Sequence, residues 1–458
     1  MGDAYDVVVI GAGTGGYSAA LRSAQLGKRV ALVERDERLG GTCLLRGCIP
    51  TKALLQSAAV MDTVQRSDEW GIKASGEADW SAVKAFEDRM VDKLVTGLTG
   101  LVSHRGIDVL RGTARLLPGP AVEIDGARYD AGDVVIATGS RPRPLPGVDL
   151  SDRIITSDQA LWYDRIPTSA VVIGAGAVGL EFASVYRSFG ADVTVVEALP
   201  RLAPLEDAEI SKEIAKAFRK RGIASETGAT VTGVEQSESG VAVSYATGAE
   251  KTVNADVCLV AVGRGPVTDD LGLEAAGVAL TEKGFVDVDG QLRTAAEHVW
   301  AVGDVAATPL QLAHVAFTEG MAVAERIADI DVPDIDYVNI PKVTYCTPEM
   351  ASVGLTEAQA LEQGRSIVTE KLDFRAIGKA NIVGEGGFVK VVAEADGPVL
   401  GVHMIGPHVT DLVAEAMLIT NWEAVPAEVA ALIHPHPTLS EAIGEAHLAL
   451  AGKPLHSA

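Results

Sequence analysis

Aromatic residues are scarce. They make up 5% of a chain of 458 residues, so any core has to be built from Ala, Val, Leu and Ile. Hydrophobic residues reach 47%, enough for several cores, and the length points to about three domains. Positive charge is short as well: 39 Lys and Arg stand against 62 Asp and Glu, a net charge of −23. That balance argues against nucleic acid as a partner, because phosphate binding needs a basic surface. It fits a soluble protein and leaves room for basic protein partners. The four cysteines are too few for a disulfide framework. With neither a C-x-x-C pair nor an H-E-x-x-H motif, no metal site is expected. No apolar run approaches about 18 residues without charge or glycine, so no membrane span is expected. The start, Met1-Gly2-Asp3-Ala4-Tyr5-Asp6, is acidic and unlike a secretory leader. The expected compartment is a reducing cytoplasm, where a cysteine pair is catalytic or sensory more often than structural.

The densest chemistry lies at 40–52, Gly-Gly-Thr-Cys-Leu-Leu-Arg-Gly-Cys-Ile-Pro-Thr-Lys. Cys43 and Cys48 stand five positions apart. Downstream, 53–60 reads as helix, with Ile49, Leu54, Leu55 and Val60 on its apolar face. Pro50 suits a first helical turn. Both cysteines therefore fall at or just inside a helix N-terminus, where the dipole favours a thiolate. A loop this short gives little entropic stabilisation if closed, so a disulfide here is better explained as a redox couple than as a staple. The alternative is two unrelated buried cysteines. Cys258 sits in a strand-like run, and Cys346 is isolated.

Asp6-Val7-Val8-Val9-Ile10 is the apolar, β-branched run that a buried parallel strand needs. Gly11-Ala12-Gly13-Thr14-Gly15-Gly16 follows, then an expected helix over 17–26 and a strand over 29–33 ending at Glu34. This is G-x-G-x-x-G in its strand–turn–helix context. Gly11 allows the tight turn, Gly13 admits a pyrophosphate, and Gly16 lets helix and strand pack closely. The helix N-terminus faces the phosphates, and Glu34 can accept from a ribose hydroxyl. The unit recurs 163 positions later with Gly174, Gly176 and Gly179, an expected helix over 180–189, a strand over 192–196, and Glu197. First glycine and acid are 23 apart in both copies. Two copies predict two bound dinucleotides; glycine-rich turns without a ligand would not need both acids. The Glu197 carboxylate repels a 2′-phosphate, which favours NAD over NADP, and Arg201 nearby does not override it.

Between the copies lie a polar helical region near 81–104 and short strands ending in Asp133-Val134-Val135-Ile136-Ala137-Thr138-Gly139. Pro142, Pro144 and Pro146 read as a stiff linker. A parallel phrase at 255–264 follows the second unit, and Val302-Gly303-Asp304 ends a further strand before a helix over about 311–328. From about 340 the character changes to alternating strands (387–393, 399–405) with a helix near 410–422. The close is His434-Pro435-His436-Pro437-Thr438-Leu439-Ser440-Glu441. A histidine with a carboxylate in reach is a general-base arrangement; two surface histidines near a helix start are the alternative.

These stretches together resemble the FAD- and NAD-linked disulfide oxidoreductases, and within them the branch that oxidises dihydrolipoamide. The resemblance runs through 11–16, 40–52, 137–139, 174–181, 294–304, 312–320, 345–357 and 434–441, essentially the whole chain. It implies an α/β fold with two Rossmann-like dinucleotide-binding domains and a C-terminal α+β dimerisation domain. The implied division is 1–145 for FAD, 146–265 for NAD, 266–339 as a return to the FAD or central domain, and 340–458 as the interface. Asp304 would hold the ribityl chain of FAD. The cofactor set it implies is completed by Gly11, Gly13, Gly16, Glu34, Thr42, Lys52, Thr138, Gly139 and Ala313, with Gly174, Gly176, Gly179, Glu197 and Gly263. Cys43 and Cys48 would form the redox disulfide, Cys48 against the flavin and Cys43 exchanging with substrate. Lys52 would pair with Glu181 beside the nicotinamide. His436, held by Glu441, would shuttle the substrate's thiol proton.

The implied activity passes electrons from dihydrolipoamide through the dithiol and FAD to NAD. The implied partners are a second copy of the chain and the lipoyl-bearing acyltransferase of a 2-oxoacid dehydrogenase complex, or the glycine-cleavage lipoyl protein. Three positions depart from the pattern: Leu45-Arg46 in place of Asn-Val, Gly265 in place of a second arginine, and Pro435 in place of alanine. The competing expectation is a reductase of a small disulfide such as mycothione or glutathione disulfide. A flavin-binding interaction subunit without turnover, or a quinone reductase, would not need Cys43, Cys48, Lys52, His436 and Glu441 together.

Overall fold

Alternation along the first strand decides how the N-terminal part is built. Strand Tyr5–Ile10 sends Val8 and Ile10 to one face of its sheet and Val7 and Val9 to the other, and all four are buried. A strand buried on both faces needs a continuous apolar run, and the sequence supplies one. The computed structural model describes residues 5–456; the acidic start at 1–4 and positions 457 and 458 lie outside the described residues. The chain divides into two units. One takes in the chain up to Ala53 with Ala82–Arg143 and Gly263–Tyr337, and the other takes in Leu54–Ser81, Pro144–Val262 and the chain from Val338 on.

In the first unit, Tyr5–Ile10 pairs in parallel with Val30–Glu34 on one side and Ala127–Ile136 on the other. Asp108–Arg111 extends the sheet beyond Val30–Glu34, and Val299–Ala301 runs beside Ala127–Ile136. Helix Thr14–Gln25 packs Ala19 and Ala20 into the same core as Val7 and Val9. It begins three residues earlier than the apolar pattern predicts, so Gly15 and Gly16 are helical. Small residues carry no periodic signal, which is why the pattern misses the first turn.

The second unit repeats the arrangement. Ser169–Ile173 lies between Asp192–Glu197 and Val257–Val260, all parallel, with Ile223–Thr227 and Ile154–Thr156 outermost. Its helix, Ala177–Ser188, also starts three residues ahead of the expected one. Cys258 is fully buried in its strand. The C-terminal part is a different layer: a five-stranded sheet, antiparallel throughout, in the order Lys342–Thr344, Glu349–Gly354, Val399–Gly406, Phe388–Glu394, Ile367–Asp373. Helices Val409–Asn421 and Glu441–Leu450 bury Val413, Ala416, Ile443 and Ala446 against it. Lys390 is buried in this unit between Asp207 (2.9 and 3.1 Å) and Glu357 (2.6 Å). Asp207 is as buried as Lys390 while Glu357 is partly exposed, so removing Lys390 would leave the Asp207 charge uncompensated, at a cost of about 3–5 kcal/mol. Among the described residues no helix is long and apolar enough to cross a membrane.

Candidate active site

The cysteine stretch folds as two helices rather than one. Gly41–Arg46 carries Thr42 and Cys43, and Cys48 is the first residue of helix Cys48–Gln65. Gly47 separates them because a side chain there would press on the Thr42 carbonyl at 2.8 Å. Pro50 and Lys52 occupy the first turns of the second helix. Leu54 and Leu55 face the core as expected, but Val60 is exposed. At about 100° per residue it lies far around the helix from Leu54, which excludes it from the apolar face.

Both cysteines are thiols in this structure, and they hydrogen-bond to each other. That bond and burial push the Cys43 thiol well above its ordinary range, while Lys52 pulls the other way. The thiolate expected at the helix N-terminus is therefore not at Cys43. Cys48 opens the longer helix, whose dipole favours negative charge at that end. Leu44, Leu45 and Ile49 pack with Val91 and Val95 of helix Trp80–His104, so the pair rests on a formed core.

The two glycine units match bond for bond. Glu34 accepts the N–H groups of Ala12 and Asp36, each at 2.9 Å. Glu197 accepts those of Ala175 at 2.6 Å and Leu199 at 2.7 Å. Gly11 and Gly174 have φ of +102° and +105°, and a Cβ at either would stand 2.5 or 2.4 Å from the facing carbonyl of Ala137 or Ala261. Gly16 and Gly179 are closed to a side chain by the Gly11 and Gly174 carbonyls. A Cβ at Gly176, Gly139 or Gly263 would meet nothing within 4 Å, and at Gly13 only the Gly41 Cα at 3.9 Å. Neither Gly13 nor Gly176 gives its helix a side-chain cap. Open space over uncapped N–H groups is what a pyrophosphate requires, so these residues fit two dinucleotides. Arg201 is turned away from that role and donates to the carbonyls of Pro204 (2.9 Å) and Glu206 (3.1 Å).

Asp304 lies in the short turn Gly303–Val305 and accepts the Ser140 hydroxyl at 2.5 Å, with Arg264 Nε 4.0 Å away. Arg264 also donates to the Ser140 hydroxyl and carbonyl, both at 2.7 Å. Ala313 opens helix Ala313–Ile327. The Thr138 hydroxyl is engaged with the Val267 carbonyl at 2.7 Å. In the second unit, Glu181 is buried and accepts the Tyr345 N–H at 3.0 Å.

His436 Nδ1 lies 2.8 Å from Glu441 Oε1, and the imidazole side chain is 77% exposed. Glu441 is the first residue of its helix, and its second oxygen takes the Thr438 N–H at 2.8 Å. Burial opposes ionisation of Glu441, but the Thr438 N–H and the His436 ring outweigh it and hold the carboxyl below its usual range. An ionised Glu441 fixes the proton on Nδ1 and leaves Nε2 as a base. His434, two residues earlier, makes its own pair with Glu415 at 2.6 Å, which raises its imidazole.

The three departures have local accounts. Arg46 is ion-paired with Asp36. At Gly265 a Cβ would touch the Arg143 side chain at 3.6 Å, and Arg143 donates to the Arg264 carbonyl at 2.7 Å. The Pro435 carbonyl accepts the Thr438 hydroxyl at 2.7 Å. Ser140, Arg264 and Glu415 escape the sequence reading because their partners lie 164, 40 and 19 positions away. The one available signal is adjacency: Ser140 and Arg264 directly follow Gly139 and Gly263. Among the described residues no group of three or more His, Cys, Asp or Glu could hold a metal ion.

Two dinucleotide cradles and a hydrogen-bonded cysteine pair in one chain define an oxidoreductase that works on sulfur. Residues 5–320 match the family model of pyridine nucleotide-disulphide oxidoreductases, and 340–447 match that family's dimerisation domain. The chain belongs to the pyridine nucleotide-disulphide oxidoreductases. It is thereby an FAD- and NAD-linked oxidoreductase. It is similar to the dihydrolipoyl dehydrogenase of Bacillus subtilis strain 168, at 43% identity over 100% of both chains. It is also similar to that of Thermus scotoductus, at 41% identity over 99% of this chain and 98% of the relative. Among solved structures, LpdA from Mycobacterium tuberculosis matches with a TM-score of 0.90 at 27% identity, covering 97% of this chain and 99% of that one.

Proposed function

We propose that this protein is a dihydrolipoyl dehydrogenase: it oxidises dihydrolipoamide to lipoamide and delivers the electron pair to NAD. The observation that carries the reading is the His436–Glu441 pair, an oriented base in a chain that also holds the Cys43–Cys48 couple. Dihydrolipoamide brings two thiols of ordinary pKa, and exchange needs a thiolate. His436 takes the proton of one substrate thiol on Nε2. The thiolate attacks Cys43 of the oxidised pair, the Cys43–Cys48 bond breaks, and Cys48 leaves as thiolate. The second substrate thiol then attacks the mixed disulfide and passes its proton to the departing Cys43 sulfur, which closes lipoamide and leaves a Cys43 thiol, a Cys48 thiolate and the first proton on His436. Bound FAD and NAD supply the onward passage of the electron pair as hydride. Lys52, Glu181 and Asp304 hold those groups, with the glycine cradles, Glu34, Glu197, Thr42, Thr138 and Ala313 around them.

The division into FAD (1–145), NAD (146–265), central (266–339) and interface (340–458) regions belongs to the same reading. So do a homodimer, a cytoplasmic location, and a lipoyl-bearing acyltransferase of a 2-oxoacid dehydrogenase complex, or a glycine-cleavage lipoyl protein, as partner. The match of 340–447 to a dimerisation domain supports the dimer. The deciding experiment is NADH oxidation by the yellow, FAD-loaded protein with lipoamide, glutathione disulfide and mycothione side by side. Lipoamide is expected to be the preferred substrate by kcat/KM; a preference for either other disulfide would replace this reading with the small-disulfide reductase. Folded protein that takes up no flavin would remove it altogether.

Coenzyme choice gives a separate test. Glu197→Ala is expected to lower the NAD:NADP ratio of kcat/KM about 10- to 100-fold, through lost ribose hydrogen bonds and removed repulsion. An unchanged ratio would mean that Glu197 is not the ribose ligand.

A further inference from the structure

Glu319 sits mid-helix in Ala313–Ile327 and is fully buried, outside every role assigned so far. Burial pushes its carboxyl above the usual carboxylate range, and three donors work against that. The Gly303 N–H reaches Oε2 at 2.6 Å, the Tyr337 hydroxyl reaches Oε1 at 2.8 Å, and the Thr308 side chain makes a third bond. Gly303 has φ of +71° and is followed directly by Asp304, so Glu319 holds the backbone from which the Asp304 carboxylate projects. Ser140 and Arg264 hold that carboxylate from the side-chain end.

The helix is seated so that Glu319 cannot drift. At Gly320 a Cβ would stand 2.2 Å from Ser18 Oγ and 2.3 Å from the Gly15 carbonyl, so this turn lies directly against helix Thr14–Gln25. Tyr337 closes the arrangement from the last residue of the first unit, where the chain leaves for the second.

We propose that Glu319 is a positioning residue for the flavin: through the Gly303 N–H it aims the Asp304 carboxylate at the ribityl chain, and Tyr337 holds its other oxygen in place. The inference rests on the FAD reading above. The carboxylate is needed because both oxygens face donors; an amide at this position would turn its NH2 group toward one of them.

The test is FAD affinity of full-length protein, measured by flavin fluorescence after release and reconstitution, in a double-mutant cycle. Glu319→Gln alone is expected to weaken FAD binding roughly tenfold or more, and Tyr337→Phe a few-fold. In the Asp304→Asn background the further effect of Glu319→Gln should shrink to about twofold or less, because its route to the flavin is already lost. A full, additive effect in that background, or no effect in the wild-type background, overturns the proposal. If Glu319→Gln does not fold, Tyr337→Phe with Asp304→Asn completes the same cycle: non-additivity supports the proposal and additivity overturns it. Wild-type protein that binds no FAD overturns the flavin reading itself, an outcome distinct from either.

Discussion

Cys48→Ser is expected to abolish lipoamide-dependent NADH oxidation, by about 10⁴-fold or more, while the protein stays folded and yellow. A serine hydroxyl cannot carry the negative charge that Cys48 takes when the pair opens, and it cannot re-form the bond to Cys43. The variant keeps the packing of Leu44, Leu45 and Ile49 on helix Trp80–His104, because the change is one atom at a helix start. Retained turnover within tenfold of wild type would take the cysteine pair off the electron route.

His436→Ala is expected to lower lipoamide turnover about 10²- to 10⁴-fold, the range of a lost general base. The two variants together test where each site gets its histidine. The resemblance makes the C-terminal region an interface that delivers His436 of one subunit to the cysteine pair of the other, in a two-fold dimer. Unfolded Cys48→Ser and His436→Ala chains are mixed in equal amounts and refolded with FAD. Random pairing makes about half the dimers mixed, and each mixed dimer has one intact site of two, so about a quarter of wild-type activity should return. Activity no higher than the sum of the two variants, with mixed dimers shown to be present, would place the whole site within one chain.

What is legible in the sequence is what sterics or a short spacing dictates. Gly11 and Gly174 can be read because only glycine tolerates a carbonyl 2.5 or 2.4 Å from a Cβ position, and the strand before each is an unbroken apolar run. His436 and Glu441 stand five positions apart across a proline that leads into a helix, a spacing that allows the pair and equally two surface histidines, so the resemblance singles it out and the structure brings the two side chains to 2.8 Å. The first helical turns, Thr-Gly-Gly at 14–16 and Ala-Val-Gly at 177–179, cannot be read, because turns built mostly of small residues leave no apolar period. The same limit hides the break at Gly47, which makes two helices of the cysteine stretch. Charge is the other illegible quantity. A helix start predicts a thiolate at either cysteine, and only the contact between the two sulfurs, together with burial, shows the Cys43 thiol pushed up. Long-range polar partners such as Ser140 for Asp304 have no sequence signal, because tertiary folding alone sets their separation.

The Glu197 carboxylate, with each oxygen already holding a backbone N–H, constrains anyone who would redesign this protein for the phosphorylated coenzyme. Because both of its oxygens already hold the loop through Ala175 and Leu199, exchanging the charge also releases two backbone donors that then need new acceptors. The nearest guanidinium, Arg201, is committed to the carbonyls of Pro204 and Glu206 and is not in reserve. On the proposed coenzyme role of Glu197, a change of preference involves the whole segment from 197 to 206, and a design that replaces 197 alone should lose more NAD affinity than it gains for NADP. Transplanting the complete loop, with its own internal acceptors, is the smallest change that keeps the turn intact.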